Sequence, residues 1–304
     1  MFLIAQVSAL NIGRQSALYK PEALARFTAR RPSLLGLPMD RAQIMGILNV
    51  TPDSFSDGGM DGTAEEAALR GRRLMKEGAD ILDIGGESTR PGSRLVADGE
   101  ETSRTQPVIR ALAGMPISID TRKVAVARAA IRAGASLVND VSGLTHDPEM
   151  MPLVVDNGLP VCIMHTQGDP QTMQDDPSYE DVLLDVYDFL EEQVETLVAA
   201  GLPRKKIIVD PGIGFGKTQA HNLALLSGLS LFHGLGCPIL LGVSRKGFIG
   251  RIGGAPEARD RAPGSIAVAL AGVAQGVQIL RVHDVAATRQ ALALWQAVEQ
   301  GDNQ

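Results

Sequence analysis

Short apolar runs that break off at a polar residue recur along this chain. The first, Ile44, Met45, Ile47 and Leu48, stops at Asn49 and gives way to Thr51, Pro52, Asp53, Ser54, Ser56, Asp57, Gly58 and Gly59. A run of that length, closed by turn residues, predicts a buried strand. The polar stretch after it has neither a helical nor a strand period, and long irregular loops in compact chains are commonly functional. Phe55 stands among hydrogen-bonding side chains there, which marks the loop as a cover for a ligand.

Thr63-Ala-Glu-Glu66 has the form of a capping box, so a helix is expected over 64–77 with Gly78 as its left-handed stop. The strand ADILDIGG comes at once afterwards. The same unit returns where IRAG ends at Gly134, VVDNG at Gly158, LVAAG at Gly201 and VAQG at Gly276. Helices that close on glycine and lead into short β-branched strands predict parallel strands with helical crossovers. Strands are expected over 43–48, 80–84, 117–119, 136–138, 161–164, 207–209, 239–243 and 278–280. Eight such units are the number of a (β/α)8 TIM barrel, an α/β fold. A doubly wound sheet would carry a G-x-G-x-x-G turn after its first strand, where this chain reads NVTPDS.

Composition narrows the class. The 304 residues, 44% of them hydrophobic, suffice for one large core, taken as a single domain over 41–304. Residues 1–40 read as an N-terminal extension or a cap on the closed end of the barrel, with a strand over 1–10 and a short helix over 21–29. A net charge of −6 gives no reason to expect nucleic acid or an anionic membrane as partner. No apolar stretch reaches the length of a membrane span, and no basic residue precedes the apolar start MFLIAQVSAL, which disfavours a secretory signal. Cys162 and Cys237 lie in or beside apolar runs and are expected as buried thiols in a reducing cytoplasm.

In such barrels the active site lies at the carboxyl ends of the strands. The polar residues that close the runs are Asn49; Glu87, Thr89 and Arg90; Asp120; Asn139 and Asp140; His165; Asp210; Ser244 and Lys246; Arg281 and His283. A single Asp or Asn there is an ordinary turn residue. Polar groups at all eight strands, several of them ionisable, need partners, and a ligand supplies those they cannot find in each other. Asp120, Asn139 and Asp210 suit a group rich in N–H donors, since a carboxylate accepts two adjacent donors side by side. Arg90, Lys246, Arg281 and His283 suit a phosphoryl group. The residues therefore describe a donor-rich heterocycle carrying phosphate.

Three stretches look like other things. PGIGFGKT is not a phosphate loop, because Pro211 stands where that pattern needs glycine. It is read as a turn that lets backbone approach a flat ligand, with Phe215 as an apolar wall. Asp284 is expected to cap the last helix. No H-x-H or H-E-x-x-H occurs, so a zinc held by protein is not expected, whereas Mg2+ brought in by a diphosphate needs few protein ligands, for which Asn49 suffices.

Together MGILNVTPDSFSDGG, ADILDIGGESTRPG, SIDTRK, VNDVSG, CIMHTQG, IIVDPGIGFGKT, GVSRKGFIG and RVHDV resemble the dihydropteroate synthase family, in that family's order. The resemblance implies a homodimeric (β/α)8 barrel of folate synthesis. Its reaction joins p-aminobenzoate to 6-hydroxymethyl-7,8-dihydropterin diphosphate, with Mg2+. It implies that Asp120, Asn139, Asp210 and Lys246 hold the pterin, that Met164 contacts substrate, and that Asn49, Arg281 and His283 hold the diphosphate and Mg2+. Phe55, Thr89, Arg90, Phe215, Ser244 and Lys246 would shape the aminobenzoate pocket, with Asp120, Lys246, Arg281 and His283 at the reacting centre. Thr166 departs from the methionine the family often has, and 93–104 is less typical than its flanks. A pterin-dependent methyltransferase would share the barrel without needing SRK and RVHD, and a binding-only relative would be expected to have damaged loop residues.

Overall fold

The computed structural model describes residues 21–51, 63–88, 94–168 and 172–301. Eight strands alternate with helices: β1 (Gln43–Asn49), β2 (Ile81–Gly85), β3 (Ile117–Asp120), β4 (Leu137–Asp140), β5 (Val161–Met164), β6 (Ile207–Asp210), β7 (Leu240–Leu241) and β8 (Ile279–Val282). Their order is β6-β5-β4-β3-β2-β1-β8-β7, and every neighbouring pair is parallel. A parallel bridge between Val209 and Ile239 joins the two ends of that row, so the sheet closes on itself. The expected (β/α)8 barrel is the fold.

Five helices stop where the glycine grammar placed their ends. Gly78, Gly134, Gly158, Gly201 and Gly276 have φ of 105°, 120°, 55°, 103° and 88°, a region costly for a residue with a Cβ. The helix Ala64–Lys76 opens on the expected capping box. Thr63 accepts from the Glu66 amide, and the Glu66 carboxylate accepts from the Thr63 amide. Asp284 behaves differently from expectation. It precedes the last helix, Val285–Gln300, but makes no side-chain cap; its carboxylate takes the Arg245 guanidinium in two bonds of 3.0 and 2.6 Å. A two-bonded ion pair with a guanidinium adds a full opposite charge that a backbone amide lacks, and Arg245 reaches it from a left-handed backbone, φ 59°.

Most strands also run past their expected ends. Asn49, Asp120, Asn139, Asp140, Asp210 and Arg281 lie within β1, β3, β4, β6 and β8 rather than after them. Backbone pairing continues there because the ladder takes no account of side-chain polarity. β7 is shorter than expected: the Ile239 amide goes to the Gln278 side chain at 2.8 Å, and Gly242 lies outside the ladder.

Period-two alternation sorts the strand residues. Ile44, Leu48, Leu82, Ile84, Ile117, Ile119, Val138, Val161, Ile163, Ile207, Val209, Leu241 and Leu280 face the helices in one large core. Met45, Ile81, Leu137, Cys162, Ile208, Leu240 and Ile279 face inward and fill the lower barrel. Leu34 and Met39, just before β1, join that inner cluster and are 3% exposed. Leu34 and Leu37 exchange backbone bonds of 3.0 and 2.8 Å there. Arg31 donates to the carbonyls of Arg26, Ala29, His233 and Cys237. The segment ahead of β1 thus packs against the lower end of the barrel. The helix in it spans Pro21–Thr28; the strand expected over 1–10 lies outside the described residues. Both cysteines are free and buried, as expected.

Candidate active site

Above the apolar filling, the inward faces turn polar at the carboxyl ends of the strands. Arg281 stands on β8 and crosses the barrel. Its Nε donates to Asp83 Oδ2 on β2 at 2.6 Å, and its Nη2 donates to Asp120 Oδ2 on β3 at 2.6 Å. Asn139 Nδ2 on β4 donates to both oxygens of Asp83, at 3.4 and 3.3 Å. One guanidinium therefore serves two buried carboxylates. The second oxygen of Asp120, Oδ1, is buried and has no hydrogen-bond partner among the described residues. Burial pushes the Asp120 carboxyl up to about 7; Arg281 opposes this, and Asp83 adds to it. Arg281 itself is held firmly in its charged form: its carboxylate partners outweigh the burial that disfavours the charge.

Asp210 closes β6 and is 6% exposed. Its Oδ1 accepts the Gly212 amide at 2.8 Å. Burial raises its pKa, while that amide, Lys246 and Arg281 pull the other way. Lys246 lies beyond β7 and lays its Nζ 4.0 Å from the centre of the Phe215 ring, a cation–π contact. Met164, 3% exposed, ends β5 opposite Asp210 in register.

The glycines of PGIGFG make room for other parts of the protein. A Cβ on Gly212 would stand 1.9 Å from the His165 carbonyl oxygen, and one on Gly216 would stand 2.5 Å from that of Gln167. Two of the three thus allow close approach to the loop after β5. A Cβ on Gly214 would come within 3.2 Å of the Lys246 side chain, so this glycine leaves room for the lysine.

At the other side of the mouth Asn49 and Asp120 flank Gly85. A Cβ there would lie 3.5 Å from Asp120 Cβ and 3.8 Å from Asn49 Oδ1. His283 and Ser244 meet: the His283 amide donates to Ser244 Oγ at 3.1 Å, and Nδ1 lies 2.9 Å from the same oxygen. Phe55, Thr89 and Arg90 lie outside the described residues. The structure therefore gathers Asn49, Asp120, Asn139, Asp210 and Arg281 on inner strand ends, with Phe215, Ser244, Lys246 and His283 on the turns above.

Three expected mouth residues point elsewhere. Asp140 is the outward neighbour of Asn139, and its Oδ1 accepts the amide and hydroxyl of Ser142. His165 is 7% exposed, wedged against Tyr179 and Phe189 with Lys217 on its Nδ1. Glu87 pairs with Lys123 and Arg122. Each lies one step out of the inward period or past its end, which polarity at a strand end does not register. Conversely, Asp83 closes no apolar run and so escapes a search for polar strand ends. It sits inside ILDIG, and alternation with Ile81 and Gly85 was the available signal.

Among the described residues no group of three or more His, Cys, Asp or Glu side chains could hold a metal, and no described helix is long and apolar enough to cross a membrane.

The chain resembles known proteins over most of its length. The family model described as pterin binding enzyme matches residues 45–283. The dihydropteroate synthase of Neisseria meningitidis serogroup B is 46% identical over 86% of this chain and 94% of its own length. That of Escherichia coli K12 is 42% identical, over 86% and 93%. Among solved structures, Yersinia pestis dihydropteroate synthase in a sulfonamide drug complex superposes with a TM-score of 0.83 at 43% identity, over 89% of this chain and 99% of that one. The Xanthomonas albilineans enzyme with 4-aminobenzoic acid gives 0.82 at 47%, over 87% and 96%. With its acidic pocket and these relatives, the chain belongs to the pterin-binding enzyme family, among the dihydropteroate synthases.

Proposed function

We propose that this chain condenses 6-hydroxymethyl-7,8-dihydropterin diphosphate with p-aminobenzoate, forming 7,8-dihydropteroate and diphosphate in folate synthesis. The observation that carries the reading is the surplus of acceptors at the mouth: Asp120 Oδ1 is buried and unpartnered while Asp210 lies across from it, largely buried. A buried acceptor without a donor is costly, and a heterocycle lined with N–H groups supplies donors. The solved Xanthomonas albilineans relative in complex with 7,8-dihydropteroate, 44% identical, supports the same chemistry.

In this reading Asp210 takes adjacent N–H groups of the pyrimidine edge, Asn139 and Met164 border the ring, and Lys246 covers it. The methylene C–O bond breaks and the electron pair leaves with diphosphate. The pterin ring delocalises the resulting positive charge, which ionised Asp120 stabilises. The aromatic amine then forms the C–N bond and gives up one proton, which the released diphosphate takes. Arg281 and His283 receive the departing phosphates; Thr89, Arg90, Phe55, Phe215 and Ser244 border the aminobenzoate. No covalent intermediate with the protein is required.

Mg2+ belongs to the same proposal. Asn49 presents a neutral amide oxygen beside Gly85, across from Asp120. One such oxygen fits an ion whose remaining ligands are water and diphosphate oxygens. Bound there, it would neutralise charge on the leaving group. A homodimer in a reducing cytoplasm completes the proposal, supported for the compartment by two free, buried thiols.

The test is dihydropteroate formation by the purified chain with both substrates, with and without Mg2+. Turnover that requires Mg2+ and is abolished in Asp210→Ala is expected. A folded chain that binds neither pterin nor p-aminobenzoate overturns the reading.

A further inference from the structure

Lys217 is 3% exposed, yet it stands seven residues beyond Asp210 at the end of the glycine-rich turn. Its ammonium meets three acceptors: His165 Nδ1 at 3.0 Å, the His165 carbonyl at 3.2 Å and the Phe215 carbonyl at 2.9 Å. Burial lowers the Lys217 pKa to about 7, and its ammonium form has three N–H donors. Two of these acceptors belong to the residue after β5, and the third belongs to the residue whose ring lies under Lys246. Burial, reinforced by Lys217, lowers the His165 pKa to about 3, so its ring is neutral and Nδ1 can accept.

The rest of the turn is pinned from outside. The Gly214 amide donates to Asn222 Oδ1 at 2.6 Å, Gln174 donates to the Gly214 carbonyl, and Tyr179 donates to the Gly216 carbonyl. Phe215 stands between those anchors. Its amide reaches back to the Gly212 carbonyl at 3.1 Å, and its own carbonyl goes to Lys217.

We propose that Lys217 is a positioning residue for the second substrate: by tying the Phe215 carbonyl to His165, it fixes the Phe215 ring as the wall against which p-aminobenzoate lies. Lys217 spends its donors on the protein and acts through Phe215. The inference rests on the proposed function, which supplies the aromatic substrate. Nothing in GFGKT itself marks this lysine, since in sequence it reads as part of a turn.

The experiment compares the wild-type chain with Lys217→Met and Lys217→Arg. Met keeps the length without donors, and Arg keeps charge and donors with altered geometry. Wild-type turnover tests the reaction itself. The positioning role is read separately, by calorimetry of p-aminobenzoate binding to chain saturated with 6-hydroxymethylpterin and diphosphate, and by the KM for each substrate. Lys217→Met should weaken p-aminobenzoate binding and raise its KM by about tenfold to a hundredfold, the scale of a misplaced contact. Pterin affinity should stay within about twofold, and Lys217→Arg should recover part of the loss. Unchanged p-aminobenzoate affinity, or an equal loss for both substrates, overturns the proposal. If Lys217→Met does not fold, His165→Leu removes the Nδ1 acceptor and leaves the His165 and Phe215 carbonyls, and must shift the same KM in the same direction. An unshifted KM in that variant likewise overturns it.

Discussion

Arg281 divides one positive charge between Asp83 and Asp120. Removing the charge from Asp120 should cost transition-state stabilisation more than substrate affinity: Asp120→Asn is expected to lower kcat by about 10²-fold or more, read in steady-state assays. The same carboxyl gives a pH signature. Its folded pKa, about 7, lies above the roughly 3.9 of an unfolded chain. Between those values the folded state keeps a proton that the unfolded state has released. This contribution to stability is fully present below about pH 4 and is lost as pH rises through about 7. Relative to Asp120→Asn, the wild-type Tm should therefore fall between pH 4 and 8; a constant difference across that range contradicts it. Asp120, Asn139, Asp210, Lys246 and Arg281 were legible because each closes an apolar run. Asp83 and Lys217 were not, one hidden mid-strand and the other needing the loop after β5 to be placed beside it. Gly212 shows the same limit, since only the fold reveals what its missing Cβ would strike. With φ 71° and a carbonyl 1.9 Å from that position, Gly212→Ala should lose about 3 kcal/mol or more in urea unfolding. Gly201→Ala, with φ 103° and open space, should lose about 1–2 kcal/mol.

The helices and strands were readable for a local reason: a left-handed glycine stop and a β-branched run are properties of a few adjacent residues. Their ends were less readable, because pairing with a neighbouring strand carries polar residues into the ladder. Where elements join, buried charge does the fastening. Lys123, at the start of the helix Val124–Ala133, donates to Glu87 just after β2, to the Val96 carbonyl at 2.6 Å and to Glu101 in the helix Asp98–Ala111 at 2.7 Å. Glu101 is fully buried, and burial raises its pKa despite the lysine. Lys123→Met strands the Glu101 carboxylate, while Glu87 keeps Arg122, and should destabilise the fold by about 3–5 kcal/mol by chemical denaturation. Adding Glu101→Leu should recover part of that loss; no recovery would show that the pair is not the source.

In the whole barrel, apolar and polar functions are separated along one axis. The inward side chains are dry below and charged above, with Leu34 and Met39 among the lower set. That polarity was foreseeable from where runs stop; the segment before β1 was expected as an extension or a cap on the closed end, and its residues carry no strong period to say that Leu34 and Met39 enter the barrel. Arg31, with four carbonyls as acceptors, holds that segment against the residues before β7. Arg31→Met should lower Tm by several degrees, because buried carbonyls lose their donor.

The circle of strands is not equally strong all the way round. Between β6 and β7 it is joined by the single bridge of Val209 and Ile239, with the Val209 amide on the Pro238 carbonyl at 3.0 Å. Asp210 stands on one bank of that seam and Lys246 on the other. A pterin grasped by both would act as a clasp across the split ring. Hydrogen exchange at the Val209 amide should then slow when pterin binds, more than at the amides joining β3 to β4, and the ligand would be closing the barrel that holds it.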